Sequence, residues 1–377
     1  MSTWNNPELA GSSEASLRSL LDTFGFDEPL FARLRERLRQ SKTLDAQNRL
    51  TLPMLPPAPG DLVPLPPLGS PDRHTLEENG RAAIQRGELA VVFLAGGMAT
   101  RFGGGVKAAA EVLDGLSFLA FQLRQVERVA ATCQAKIPVY LMSSFASDAQ
   151  LRTLASSLQS GRVPVDIFPQ FISLRLTPDG ELFRDAAGRL SPYAPGHGDL
   201  VPALSRAGLL EAFARRGIKY LAMTNIDNLA GTLDPALLAL HASGGKLMSF
   251  EVVARDPSDQ GGTPARVEGV LQVIEGLRQP PGFDPASIPW FSTNCLYFTV
   301  EALRPDFPLE WFAVSKQVDD RRAIQFERLV NQTTAFLPSR GLIVERDGPD
   351  GRFLPIKEPG DLQRERARIE QLVAERL

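Results

Sequence analysis

The chain predicts an α/β protein with a mostly parallel central sheet covered by helices, and three observations carry that prediction. From residue 89 onward, short apolar runs alternate with amphipathic segments of helix length, the pattern of strands joined by crossover helices. The strongest run, LAVVFLAGG at 89–97, passes straight into a glycine turn, as a buried strand does when it feeds a crossover. The composition is globular: 377 residues are 43% hydrophobic and 23% charged with a net charge of −3, which supplies large cores and excludes general disorder. Length admits about two or three units, or one enlarged α/β domain.

The elements follow in chain order. Residues 14–40 place Leu17, Leu20, Leu21 and Phe24, then Leu30, Leu34 and Leu38, at near-helical spacing, with Gly25 and Pro29 dividing two helices. Residues 51–71, TLPMLPPAPGDLVPLPPLGSP, hold too many prolines for a helix or a central strand. It reads as an extended connector wrapped over the fold or as a linker, and the interspersed Leu and Val favour the first. Residues 117–133 carry Leu119, Leu123, Val126 and Ala130 on one face, in line with Leu116, and predict a helix. IPVYLMSS (137–144) reads as a strand, RAGLLEAFARRG (206–217) as a helix and IKYLAMTNID (218–227) as a strand. Three later runs, KLMSFEVVA, GVLQVIE and NCLYFTV, lie close together between turn residues and predict antiparallel additions. The tail, 361–377, is a charged amphipathic helix burying Leu362, Ile369 and Leu372 or Val373.

Charge and cysteine content exclude several functions. Lys plus Arg number 41 against 44 Asp plus Glu, so no whole-chain field attracts nucleic acid or an acidic membrane. An anionic substrate must be met by a few local cations. Cys133 and Cys295 make neither a disulfide framework nor a thiolate zinc site, and three histidines supply a multi-histidine metal site poorly. The first residues have no basic start or apolar run, and no stretch reaches the roughly 18 apolar residues of a membrane span. A cytoplasmic protein is expected.

Three motifs carry chemistry. LAGGMATRFGGGVK (94–107) follows the strongest strand; its glycines let main-chain N–H groups crowd around an anion, with Arg101 and Lys107 close by. It matches neither the P-loop nor the dinucleotide fingerprint, and its spacing alone also suits a tight turn without a ligand. In SPYAPGHGDL (191–200), His197 stands between glycines, where an imidazole can approach a phosphate and donate to it, more strongly when protonated. IKYLAMTNIDNLAGTLDP (218–235) ends a buried strand in Asn225 and Asp227, which share one side at the carboxyl end where α/β sheets bind ligands. A carboxylate there suits Mg²⁺; strand termination by turn chemistry is the alternative.

Together these segments resemble the UTP-dependent sugar-1-phosphate uridylyltransferases, the UDP-sugar pyrophosphorylases. The glycine loop is similar to LxGGxGTRxG…PK, with Ala99 in place of glycine, Val106 in place of proline, and an interval one residue short. The other two motifs resemble the family's PPGHGD and NIDNL elements. PVYLMSSF (138–145) looks like the strand bearing Met-Asn-Ser-Phe, with Ser143 for asparagine, and DIFPQF (166–171) like the segment whose glutamine reads uracil. GRFLPIKEPGDL (351–362) is similar to RFLPVK, AIQFE (323–327) to IQLE, and FSTNCLYF (291–298) to the sugar-contacting NTNNLW, with Cys295 and Tyr297 as departures that bear on the sugar pocket.

The resemblance covers roughly residues 90–365 and implies a Rossmann-like nucleotidyltransferase fold with helical N-terminal and small C-terminal additions. It divides the chain into an N-terminal segment 1–85, a catalytic domain 86–310 and a C-terminal segment 311–377. It implies Lys107, Lys357 and Arg101 as catalytic cations. Leu94, Ala95, Gly96, Gly97, Met142, Gln170 and Gly196 would hold the nucleotide; His197, Asn225, Glu275 and Asn294 would hold the sugar phosphate; Asp227 would position Mg²⁺. The implied reaction makes a UDP-sugar, UDP-glucose foremost, and pyrophosphate from UTP and a sugar 1-phosphate. A UDP-N-acetylhexosamine pyrophosphorylase and a non-catalytic UDP-sugar-binding regulator are alternatives. A UDP-sugar-dependent glycosyltransferase commonly carries Asp-x-Asp, where this chain has Asp-Asn. The family's eukaryotic members continue into a β-helix used in oligomerisation, whereas this chain ends about 20 residues beyond Lys357, so a monomer or small homo-oligomer is expected.

Overall fold

The computed structural model describes residues 15–40, 43, 48–98, 102 and 104–377. Helices α1 (Ala15–Thr23) and α2 (Glu28–Gln40) come first. Gly25, at φ 68°, makes the bend between them, and Pro29 sits in the first turn of α2, where a missing N–H is harmless. Leu17, Leu21, Phe24, Phe31, Leu34 and Leu38 are buried against Ile172, Leu174, Leu176, Ile324 and Phe326, so these helices share a core with segments far along the chain.

The proline-rich connector is wrapped over the fold as expected. It adds a short edge strand, β1 (Leu62–Pro64), and Asp61 receives two bonds from Arg266 at 2.6 and 2.7 Å. A helix that the sequence reading missed follows, α3 (Pro71–Gln85). Ser70 caps it by accepting from the Arg73 N–H, and Pro71 opens it. Its buried face is made of Arg73, Gly80, Ala83 and Ile84, which gives no apolar stripe to read.

The remaining elements are β2 (Leu89–Leu94), α4 (Phe118–Thr132), β3 (Val139–Ser143), α5 (Asp148–Leu158), β4 (Val165–Pro169), α6 (Leu200–Arg206) and α7 (Leu209–Arg216). Next are β5 (Tyr220–Asn225), α8 (Pro235–Ala242), β6 (Met248–Ala254), β7 (Thr263–Val267), β8 (Val270–Ile274) and β9 (Trp290–Thr299). Strands β10 (Phe312–Val318), β11 (Arg321–Glu327) and β12 (Ser339–Ile343) precede α9 (Pro359–Arg364) and α10 (Arg366–Arg376). The eight-stranded sheet runs β1-β12-β6-β9-β5-β2-β3-β4, and every pairing is parallel except the two made by β9. This is the mixed α/β sheet that the alternating pattern predicts. The three late runs all make antiparallel pairings, as expected: β8 with β7, β6 with β9, and β9 with β5. Only the β7–β8 hairpin is an addition outside the sheet; β6, also parallel to β12, and β9 lie within it. An apolar run identifies a strand but not its partner, and residues 255–289 are long enough to let the chain reverse and re-enter.

Alternate strand residues feed two cores. Leu89, Val91 and Phe93 pack with α4, α8 and Ile369 and Leu372 of α10, whereas Ala90, Val92 and Met142 pack with α6 and α7. The predicted helix face, Leu116, Leu119, Leu123, Val126 and Ala130, is buried throughout. No helix among the described residues is long and apolar enough to cross a membrane.

One ion pair ties the sheet to the end of the chain. Glu251 of β6 is fully buried and accepts from Arg352 Nε and Nη2, both at 2.7 Å, while Nη2 also donates to the Thr232 carbonyl at 2.6 Å. Arg73 of α3, 3% exposed, bonds Asp234 at 2.7 Å and Asp350 at 3.3 Å. Arg352→Met alone strands a buried carboxylate, and urea unfolding should show a loss of about 3–5 kcal/mol. Glu251→Leu/Arg352→Met should recover most of that loss; a double variant as weak as the single one would contradict the account.

Candidate active site

The carboxyl ends of β4, β3, β2 and β5 stand side by side, and the glycine loop leaves from among them. Leu94 is in register with Met142 on one side and Asn225 on the other. The Ala95 N–H donates to the Met142 carbonyl at 3.0 Å, and the Gln170 N–H to the Ser143 carbonyl at 2.9 Å. Gly96 therefore lies directly beneath Gln170: a Cβ here would fall 2.3 Å from Gln170 Nε2 and would displace that amide. Gln170 is 6% exposed, and its Oε1 is buried without a donor among the described residues. The structure thus brings Leu94, Ala95, Gly96, Met142 and Gln170 together.

Past Gly97 the chain doubles back. Met98 bridges Val106, and the Lys107 N–H donates to the Gly97 carbonyl at 3.2 Å. Ala99 and Arg101 lie outside the described residues. Lys107 Nζ donates to Asp227 Oδ2 at 2.5 Å and sits 5.8 Å from the ring centres of Phe102 and Phe118. The pair is mostly screened from solvent, with side chains 14% and 23% exposed.

The Gly-His-Gly turn is pressed against the chain that leaves β11. Gly196 has φ 100°, and a Cβ on Gly198 would lie 2.5 Å from the Arg328 carbonyl carbon. Asp199, fully buried, accepts from Arg328 Nε at 2.6 Å and from the Phe171 N–H at 2.9 Å, which ties this turn to the residue after Gln170. The Val330 N–H donates to His197 Nδ1 at 3.0 Å, so the neutral ring carries its proton on Nε2. Burial lowers the His197 pKa to about 4, against a weaker opposing pull from Glu327. The expectation of a donor strengthened by protonation is corrected: the ring is held neutral, and protonating Nδ1 would break its anchoring bond.

A cleft of about 190 Å³ collects His197, Asn225, Asp227, Glu275, Asn294 and Lys357, six residues that the sequence reading had named. Lys357 reaches it because residues 352–357 run beside 227–229. The Ile356 N–H donates to the Asp227 carbonyl at 2.9 Å, and the Leu354 N–H to Asn228 Oδ1 at 2.9 Å. Asn294 occupies a bulge in β9 where residues 293–295 oppose Glu251 alone, at φ 61°, a strained value for a non-glycine residue. Its Nδ2 donates to Asn225 Oδ1 at 3.1 Å.

Two features escaped the sequence. Asn331, 2% exposed, donates from Nδ2 to Glu275 Oε1 at 2.7 Å and to Asn294 Oδ1 at 3.2 Å, while its own Oδ1 has no donor among the described residues. Burial raises the Glu275 pKa, and the Asn331 bond opposes this. Nothing in LVNQTTAF marks that asparagine. Cys295 and Tyr297 are the second feature, and here the expectation is corrected. Both are buried away from the cleft, bordering a small internal cavity with Glu251 and Arg352, and Cys295 Sγ contacts Thr224 Oγ1 at 3.1 Å. The bulge at Asn294 separates their surroundings from the cleft.

With this geometry in hand, known proteins give a consistent match. The family model described as UTP--glucose-1-phosphate uridylyltransferase matches residues 42–375. The chain belongs to this family. UTP--glucose-1-phosphate uridylyltransferase of Encephalitozoon cuniculi is 29% identical over 291 residues, covering 73% of this chain and 57% of that protein. The Solanum tuberosum protein of the same name is 27% identical over 292 residues, covering 73% and 60%. The chain therefore spans about three fifths of the length of these relatives. Among solved structures, a uridine diphosphate N-acetylglucosamine pyrophosphorylase from Trypanosoma brucei superposes with TM-score 0.73 at 22% identity, covering 97% of this chain and 83% of that one. A mutant UDP-glucose pyrophosphorylase from Leishmania major, in complex with UDP-Glc, gives 0.64 at 26% identity, covering 74% and 65%. These neighbours show the same fold, and the family's enzymes are nucleotidyltransferases.

The held imidazole makes a pH prediction. Unfolded histidine takes a proton near 6.5, and His197 takes one near 4, so stability should rise with pH between those values and gain nothing from this group above them. NMR should find a His197 titration midpoint near 4, and His197→Gln should flatten part of the acid-side slope. Buried His241, also lowered to about 4, should retain the rest.

Proposed function

We propose that the chain is a UTP:sugar-1-phosphate uridylyltransferase that makes a UDP-sugar, UDP-glucose foremost, and pyrophosphate by direct in-line displacement. The observation that carries this reading is the convergence of Lys107 and Lys357 on the two sides of Asp227: one lysine bonds its carboxylate, and the other follows the residue that bonds its carbonyl. Two cations from distant segments flanking one carboxylate suit two anionic reactants that must be brought together.

The attacking sugar phosphate is already ionised, so the site needs no general base. A covalent route has no support either, since burial pushes the Cys295 thiol up to about 11 and it lies outside the cleft. In this reading the 94–97 main chain, Met142 and Gly196 hold the uridine, and the unpaired Gln170 Oε1 accepts from the uracil N3–H. Gly97 and Arg101 hold the triphosphate, and Lys107 turns from Asp227 to the charge developing on pyrophosphate. Lys357 and the Nε2–H of His197 hold the sugar phosphate, with Asn225, Glu275 and Asn294 on the sugar. The donor set fits Mg²⁺: among the described residues no group of three or more His, Cys, Asp or Glu forms a closed metal cage, and Mg²⁺ commonly takes one or two carboxylates together with substrate phosphates. Asp227 would hold it, and the ion would supply charge neutralisation at the α-phosphate. We assign the chemistry to residues 86–310 with Lys357 lent by the C-terminal segment, in a cytoplasmic monomer or small homo-oligomer that needs neither nucleic acid nor membrane.

The test is a pyrophosphate-release assay with UTP, Mg²⁺ and a panel of hexose and N-acetylhexosamine 1-phosphates. Release with a hexose phosphate is expected. Lys107→Ala and Lys357→Ala should each lower kcat/KM by about 100-fold or more, and near-normal release by both folded variants would overturn the assignment. Asp227→Ala should abolish turnover or raise the Mg²⁺ requirement. Gly96→Ala, by displacing Gln170, should weaken UTP binding while leaving the melting temperature close to that of the parent.

A further inference from the structure

We propose a second anion site behind the turn that carries Asp227, suited to a small phosphate monoester. A cleft of about 210 Å³ opens between α3, α4, the turn entering α8, and α10. Arg81, Arg128 and Arg376 line it together with one carboxylate, Glu375, beside Gln125 and an apolar wall of Val129 and Leu233. Among the described residues, neither Arg128 nor Arg376 has a carboxylate within ion-pair distance; both donate to backbone carbonyls, those of Glu375 and of Ala230, Pro349 and Gly351. The third, Arg81, shares Glu77 with Arg73. Burial, with repulsion from Arg352 next, lowers the Arg376 pKa to about 10 against the pull of Asp350, Glu375 and Asp234, and an oxyanion beside it would favour its charged form.

Gln125 provides the second, independent sign. It is 3% exposed, its Nε2 donates to the Leu229 carbonyl at 3.1 Å, and its Oε1 is buried without a donor among the described residues. Guanidinium forks match phosphate geometry, the free amide oxygen calls for a hydroxyl, and the apolar wall accepts a short carbon body. The volume excludes a folded partner. A phosphorylated polyol of a few carbons meets all of these requirements.

The site is coupled to the catalytic turn by direct bonds. Gln122, one helical turn before Gln125 on α4, donates to the carbonyls of Ile226 and Asn228, which flank Asp227. Arg376 holds Ala230 from the other side. Residues 225–233 therefore show Asp227 to one cleft and Thr232 and Leu233 to the other, and an occupant of the second would bias the turn that positions the carboxylate.

The test uses the full chain with glycerol 3-phosphate, with inorganic phosphate and lactate as comparison arms. Calorimetry should give glycerol 3-phosphate a Kd below about 1 mM on the parent and on Lys357→Ala, and weaker binding of both comparison anions. Binding should fall at least about tenfold in Arg128→Ala and in Arg81→Ala/Arg128→Ala, whose unliganded melting temperatures check folding. In the parent, saturating glycerol 3-phosphate should shift kcat/KM for UTP by about fivefold or more, with no shift in the arginine variants. No binding to the parent, or binding lost in Lys357→Ala and kept in the arginine variants, would overturn the site. The binding arm does not depend on uridylyl transfer, so failure of one reading leaves the other standing.

Discussion

The bidentate pair of Glu251 with Arg352 is the constraint on which the rest of the site depends. A carboxylate at the centre of a sheet is costly unless a partner meets both oxygens, and Arg352 does so with two bonds of 2.7 Å. Satisfying that demand draws residues 352–357 across the strand ends. There they pair with 227–229 and set Lys357 next to Asp227. Glu251 also faces the bulge in β9 that turns Asn294 toward the cleft. One buried charge thus anchors both walls of the cleft, although neither of its partners touches the cleft itself.

The site is assembled from two supports of different kinds. Around the glycine loop, backbone hydrogen bonds between adjacent parallel strands set Leu94, Met142 and Gln170 at one level. Glycines there remove side chains where main chain and Gln170 crowd together. On the side of Lys357, side-chain amides do the positioning, in a chain from Asn225 through Asn294 and Asn331 to Glu275. His197 joins the two: its turn is tied to Phe171 through Asp199, and its ring is oriented by Val330.

Much of this was legible in the sequence because it is local. The spacing of Leu119, Leu123, Val126 and Ala130 declares a helix wherever the fold puts it, and a phosphate loop needs its glycines within a few residues of one another. What was not legible depends on distant partners. Helix α3 buries an arginine and a glycine rather than a leucine stripe, and its stabilising bonds go to Asp234 and Asp350. Asn331 acquires its role only from Glu275 and Asn294. Cys295 and Tyr297 were misassigned to the sugar pocket because a bulge breaks the simple alternation by which strand residues are assigned to faces. The central place of β9 was hidden for the same reason, since nothing in NCLYFTV names β5 and β6 as its neighbours.

The crossing of residues 352–357 over the strand ends has a consequence for biosynthesis. A chain emerging from the ribosome can form β2 through β5, with the glycine loop and Gln170, while the remainder is still being made. The second lysine and the arginine that answers Glu251 come only after these elements. Until then the sheet holds an uncompensated buried carboxylate and the cleft lacks one wall. Closure of the cleft and relief of that charge are therefore a single, later event, and a chain cut before Arg352 keeps the glycine loop without the residues that complete the opposite wall.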